Sequence, residues 1–197
     1  MKTTFKINFI ILLLLLDVGC KKSNPSSSLL EINPNSEMTV IQTETNNIGF
    51  EFCLLNDKGQ ASTVFNEGEN LTFSFTFKNK LQDSIIVTTE FINYEFFRVF
   101  LSENNVDMGK PWTGTWCDFN LLPHEIRLKP SSLKQITCPW ILTDNNRPVY
   151  PLCMSVSKNL LLKGEYYTYI NLDFHYSLDG KVSVINNLIF KINFRII

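Results

Sequence analysis

Alternation of apolar and polar residues runs through most of the chain from residue 48 onward. It is clearest at residues 71–78, where Leu71, Phe73, Phe75 and Phe77 alternate with polar side chains. A period of two predicts a β-strand with one buried face. No stretch of the sequence sustains a helical period, so the pattern predicts an all-β protein.

The same alternation predicts further strands in the first half of this region. Residues 48–54 form a first strand, and residues 56–59 (Asn-Asp-Lys-Gly) form the turn that ends it. Residues 85–91 follow with the same pattern. Residues 94–101 are apolar on both faces, as expected of a central strand.

The second half ends in a predicted hairpin. Residues 136–142 alternate, and Pro139 among them favours an edge position because proline cannot donate to a ladder. Residues 166–176 and 182–194 flank Asp179-Gly180, a strong hairpin turn signal. Seven to eight such strands predict an immunoglobulin-like antiparallel β-sandwich spanning residues 48–197.

A different pattern occupies the N-terminus. Lys2 and Lys6 precede a continuous apolar run at residues 9–16. This combination is typical of a secretory signal, and the run is too short for a membrane-spanning helix, which needs about 20 residues. We therefore expect residues 1–19 to be a leader.

The leader ends in Val18-Gly19-Cys20, which resembles the lipobox of bacterial lipoproteins. Asp17 departs from that pattern, which prefers leucine at this position. The resemblance implies that Cys20 is acylated after cleavage and anchors the protein in a membrane of the cell envelope. An aspartate directly after the lipidated cysteine resembles an inner-membrane retention signal, and this chain has Lys21 there instead. That difference favours the outer membrane, with the domain facing the periplasm or the cell surface. The alternative is a soluble periplasmic protein in which Cys20 is incidental.

Residues 20–47 are rich in Ser, Asn, Thr and Pro and contain few apolar residues. Such a composition buries too little surface to offset its conformational entropy, so it predicts a flexible tether. A tether of this length would hold the domain roughly 25–30 Å from the membrane.

Charge excludes one class of partner. The chain carries 18 Lys and Arg against 19 Asp and Glu, a formal net charge of −1. Removing the leader takes away two lysines and one aspartate, which leaves −2. A chain so close to neutrality lacks the basic surface that nucleic-acid binding requires.

The sequence shows no catalytic motif. His124 and His175 are far apart and belong to no metal-ligand spacing. His175 shares the polar face of its predicted strand with Tyr167, Tyr169 and Asn171, which indicates a solvated sheet face. Nucleophile elbows and phosphate-binding loops are also missing from the sequence. We therefore predict a protein that is not an enzyme and needs no metal or cofactor.

The candidate binding residues lie in the two long segments between predicted strands, residues 102–133 and 144–163. Long loops on a rigid scaffold often carry binding. Large aromatic rings there could stack on a sugar or clamp an apolar protein segment; alternatively, the tryptophans close the open end of the sandwich. The candidates are Trp112, Trp116, Phe119, Tyr150 and Met154.

Four cysteines besides Cys20 remain after the leader, an even number in an oxidising compartment. Three complete pairings are possible. We favour a Cys117–Cys153 disulfide between the two long segments. Cys138 shares a face with Ile136 and Trp140, so we expect a buried thiol there.

Several short motifs resemble the BsuPI-type proteinase-inhibitor family of bacterial domains. They are the strand opened by Gly68-Glu69, the segment Gly109-Lys110-Pro111-Trp112, the turn after residues 126–130, and Gly164-Glu165-Tyr166. Ser131-Ser132 and Lys163 depart from the family pattern. The resemblance implies an immunoglobulin-like fold. Two functions follow as hypotheses: a non-catalytic binding or accessory lipoprotein, whose ligand is an unidentified protein or carbohydrate, and an inhibitor of envelope or external proteases.

Overall fold

Two β-sheets pack face to face in the computed structural model, which describes residues 29–93, 95–111, 125–141 and 159–197. The predicted all-β sandwich is confirmed. A single 3₁₀ turn, Thr89–Phe91, accompanies the strands in the described part of the chain. The strands are β1 (Leu29–Ile32), β2 (Val40–Thr45), β3 (Ile48–Leu55), β4 (Val64–Phe65), β5 (Thr72–Asn79), β6 (Ile85–Thr88), β7 (Val99–Leu101), β8 (Val106–Gly109), β9 (Glu125–Leu128), β10 (Leu133–Pro139), β11 (Gly164–Leu178) and β12 (Lys181–Ile196).

The larger sheet has eight strands in the order β1-β12-β11-β6-β9, with β4 beside β12, β7 beside β11 and β8 beside β7. The smaller sheet has four strands in the order β10-β5-β3-β2. Strand β10 is therefore an edge strand, as Pro139 predicted. Most strand pairs are antiparallel, but β1 and β4 both pair with β12 in parallel.

The prediction of a tether reaching residue 47 is wrong for residues 29–47. Strand β1 pairs with residues 189–192 of β12, and β2 pairs along its whole length with β3. Ile32 and Ile41 are 3% and 5% exposed and belong to the core. Backbone hydrogen bonds from β1 to the distant β12 and from β2 to β3, together with these two buried side chains, offset the ordering cost that the local composition suggested.

Phenylalanine rings fill the space between the sheets. The predicted inward faces of β3 and β5 are confirmed, since Phe50, Phe52, Phe73, Phe75 and Phe77 are all at most 1% exposed. The Phe75 ring lies within 6.5 Å, centroid to centroid, of five other phenylalanine rings. Two of these five contacts are edge-to-face, one is stacked and two are tilted, so the rings pack in several of the orientations that aromatic pairs adopt.

The prediction of one strand over residues 94–101 is wrong for its first half. A turn occupies residues 95–97, and only Val99–Leu101 form strand β7. Phe97 has a φ of 63°, in the left-handed region, so Phe96 and Phe97 both enter the core, where their ring centroids are 4.2 Å apart. Apolar residues on both faces therefore reflect a turn whose side chains fold inward.

The predicted hairpin of β11 and β12 is confirmed, with Asp179 and Gly180 both at positive φ in its turn. A β-bulge interrupts the pair, because residues 186 and 187 of β12 lie opposite Asp173 alone. The backbone N–H of Asn187 donates to Asp173 Oδ1 at 2.8 Å. The bulge lets both Ile185 and Leu188 face the core, although they are three residues apart.

The sandwich has two distinct ends. The turns at 46–47, 80–84, 129–132 and 179–180 lie together at what we call the hairpin end. The turns at 33–39, 56–60, 66–70 and 102–105, with residues 159–163, lie at the opposite end, which we call the loop end. Because β1 runs parallel to β12, the chain before Leu29 enters the sandwich from the hairpin side.

Candidate binding surfaces

Most of the residues that the sequence singled out as candidate sites lie outside the described part of the chain. This holds for the anchor Cys20, for the binding candidates Trp112, Trp116, Phe119, Tyr150 and Met154, and for Cys117 and Cys153. Their roles stay predictions. The described residues that flank the long segments nevertheless show where each segment begins and ends.

Residues 141 and 159, which flank the segment 142–158, are held together at the loop end. Asn70 forms two hydrogen bonds with the Ile141 backbone, donating from Nδ2 at 2.7 Å and accepting at Oδ1 at 2.9 Å. The indole N–H of Trp140, a residue only 3% exposed, donates to the backbone oxygen of Asn159 at 3.0 Å. A fixed base of this kind is the scaffold on which a binding loop depends.

The segment that begins after Pro111 also starts near the loop end. The Cys138 thiol lies 3.9 Å from the Pro111 backbone oxygen, inside the sandwich. Cys138 is fully buried and free, as predicted, and burial raises its thiol pKa to about 12.

A buried charge cluster supports the β7–β8 hairpin beside this segment. Arg98, 5% exposed, pairs with Glu95 at 3.2 Å and with Asp107. Lys110 is also buried, and its pKa is lowered first by burial and then by the Arg98 guanidinium. Two carboxylates facing these cations offset the cost of burying positive charge. The cluster therefore fixes the hairpin.

The outer face of the larger sheet carries an aromatic ladder formed by Phe100, Tyr167 and Tyr169. Phe100 and Tyr167 are cross-strand partners whose rings stack at 5.1 Å. On the β12 side, Lys191 Nζ lies 5.0 Å from the centroid of the Tyr167 ring. Since β11 lies between β7 and β12, both faces of the Tyr167 ring are covered. The ladder therefore joins strands and leaves no open face of the Tyr167 ring for a sugar.

The ladder continues to β1 and secures the N-terminal strand. Lys191 pairs with Glu31 at 2.9 Å, and Asn193 donates to the same carboxylate at 2.6 Å. The Asn193 hydrogen bond, aided by the Lys191 ammonium, holds the pKa of the Glu31 carboxyl below its usual range. The face interpreted as merely solvated thus contains contacts that hold β1 in place.

The outer face of the smaller sheet contains a shallow groove of about 390 Å³. The gap lies over Gly49, because glycine has no side chain. Its neighbours across the sheet are Glu44 and Lys78. Lys80 closes one side, with its Nζ 2.5 Å from Glu44. A Cβ at position 49 would meet Lys80 Cε at 3.3 Å. The groove is open, and its lining mixes polar groups with apolar surface, so it could take a small, partly polar group.

His124 lies outside the described residues, and His175 lies half-buried on β11. Across residues 29–93, 95–111, 125–141 and 159–197, no three His, Cys, Asp or Glu side chains are grouped to hold a metal ion. In the same part of the chain, no helix is long and apolar enough to cross a membrane.

None of the protein-family models, curated proteins or solved structures compared with the chain matches it. The resemblance to the BsuPI-type family and to the lipobox therefore stays a prediction from the sequence.

Proposed function

We propose that this protein is a lipid-anchored, non-catalytic binding or accessory module of the bacterial cell envelope. Cys20 is the anchor, and the ligand is a protein or carbohydrate bound by the segments that contain Trp112, Trp116 and Tyr150.

The observation that supports this proposal is the polarity of the sandwich. The chain enters β1 from the hairpin side, nine residues after Cys20. Residues 141 and 159, which bound the segment 142–158, are fixed at the loop end by Trp140 and Asn70. A tethered binding module needs this arrangement, in which the anchor lies on one side and a segment with a rigid base lies at the other end.

Membrane fractionation tests the anchor. We expect the wild-type chain in the membrane fraction of a bacterium that processes lipoproteins, and Cys20→Ala in the soluble fraction with an uncleaved or differently cleaved leader. Cys53→Ala is the matched control, because it removes a half-buried free thiol of the folded domain. Equal fractionation of wild type and Cys20→Ala would refute the anchor.

Ligand capture tests the binding role separately. Detergent-solubilised wild type and a Trp112→Ala/Trp116→Ala variant are used side by side as baits. We expect the variant to lose a ligand that the wild type retains, with the unfolding midpoint shifted by only a few degrees. If the tryptophans close the sandwich instead, each truncation costs about 3–5 kcal/mol of unfolding free energy.

Protease inhibition stays a prediction from the family resemblance. The central parts of the two long segments, residues 112–124 and 142–158, lie outside the described residues.

A further inference from the structure

We propose that the hairpin end of the sandwich, with the β11–β12 turn foremost, rests on the surface of the lipid bilayer. The inference rests on the proposed function, because it requires an acylated Cys20. It adds an orientation: one end of the domain contacts lipid, and the loop end points away.

The first argument is the reach of the chain. Nine Cα–Cα steps separate Cys20 from Leu29, so the two residues can be at most about 32 Å apart. Leu29 is the register partner of Ile189, and β12 extends eight residues further back to Lys181, about 25 Å at a strand's rise. A fully extended connection therefore brings Cys20 only about 7 Å beyond Lys181, the first residue after the hairpin turn. In any upright orientation the turn meets the headgroups.

The second argument is the apolar surface at this end. Val182, two residues beyond Gly180 in the turn, is 73% exposed, and Val184 on the same strand is 37% exposed. Leu133 of β10, on the other sheet, is 57% exposed. Exposed aliphatic side chains beside lysines are the composition of segments that lie in the membrane interface. Leu162 and Val106 are similarly exposed at the loop end, so exposure alone does not select an end.

The third argument is charge, which does distinguish the ends. The described turns of the hairpin end carry no net charge, with Lys80 and Lys129 against Asp83 and Asp179, and Lys181, the first residue of β12, adds one positive charge beside them. The described turns of the loop end have an excess of negative charge, from Glu37, Asp57, Glu67, Glu69 and Glu103 against Lys58 and Lys163. Lys21 and Lys22, beside the anchor, add positive charge on the side from which the chain enters. Anionic headgroups attract the hairpin end and repel the loop end.

Lipid photo-crosslinking tests the orientation in the full chain. Val182 or Leu162 is replaced by p-benzoylphenylalanine, and membranes are isolated, irradiated and searched for lipid–peptide adducts by mass spectrometry. The two positions are matched, at 73% and 71% exposed, and lie at opposite ends. Leu133 and Val106 form a second pair, at 57% and 47% exposed.

We expect adducts at positions 182 and 133 and none at 162 or 106, because 16 residues of β12 separate the ends by about 50 Å. Equal yields at both ends, adducts only at the loop end, or none at any position in membrane-bound protein would overturn the orientation while leaving the anchor intact. Wild-type protein in the soluble fraction would overturn the proposed function, and the orientation with it.

Discussion

Asn79 joins three segments at the hairpin end, and its replacement should destabilise the fold more than a typical polar substitution. It is the last residue of β5 and is fully buried. Its Nδ2 donates to the backbone oxygens of Asp83 and Leu128 at 2.8 and 3.1 Å, and its Oδ1 accepts from Leu81 N at 2.9 Å. One amide thus ties β5 to the following turn and to β9 in the other sheet.

The expected loss of unfolding free energy depends on whether water can reach the former partners of the Asn79 amide after truncation. In Asn79→Ala the groups of Asp83 and Leu81 are near the surface and can bond to water, whereas the bond to Leu128 is buried. Leaving one buried carbonyl unpaired costs about 1–3 kcal/mol, and the loss of the other two bonds raises the total to about 2–4 kcal/mol. Asn79→Leu keeps the γ-branched shape, leaves no cavity and should lose at least as much, which separates hydrogen bonding from cavity formation.

Urea unfolding followed by far-ultraviolet circular dichroism measures the effect. With a slope of about 2 kcal/mol per molar urea, the midpoint of Asn79→Ala should fall by about 1–2 M. Asn186→Ala, at an exposed position of β12, is the control and should stay within about 0.5 kcal/mol of wild type. An Asn79→Ala variant as stable as the control would show that these hydrogen bonds contribute nothing beyond what water provides.

Two further predictions concern a thiol and a turn. Cys138 should resist iodoacetamide at pH 8 in the folded protein, because a pKa of about 12 leaves very little thiolate and the side chain is inaccessible. Mass spectrometry should find Cys138 alkylated only after urea is added, and later than the half-buried Cys53. Labelling of Cys138 before Cys53 in the folded state would contradict the burial. Gly180→Val should lower the free energy of unfolding by about 1–3 kcal/mol, because valine is strained at a φ of 75°. Urea unfolding measures the change against Lys181→Val in the adjoining strand. Equal stability of the two variants would show that the turn rearranges freely.

The sequence by itself determined which faces of the strands are buried. Phe50, Phe73 and Phe75 point inward because a strand turns successive side chains to opposite faces, a property local to the backbone. Asp179-Gly180 specified the final hairpin for an equally local reason, since the turn requires two residues at positive φ. Cys138 followed from the same alternation.

Which partner each strand takes was decided by tertiary structure. Residues 29–47 look like a tether in isolation. Strand β1 folds because β12, about 160 residues away, offers hydrogen bonds and a place for Ile32, and β2 folds by pairing with β3. The inward turn at Phe96 and Phe97 likewise needs the aromatic core around it to hold Phe97 at positive φ.

The candidate surfaces show the same division. Aromatic residues in long segments can be recognised from the sequence, and so can the polar row of β11 that contains Tyr167. Whether a ring is open to a ligand depends on the strands beside it, and Tyr167 is covered by Phe100 from β7 and Lys191 from β12. Alternation specifies the face of a single strand, but cross-strand neighbours come from distant parts of the chain, so only the folded sheets decide what each side chain contacts.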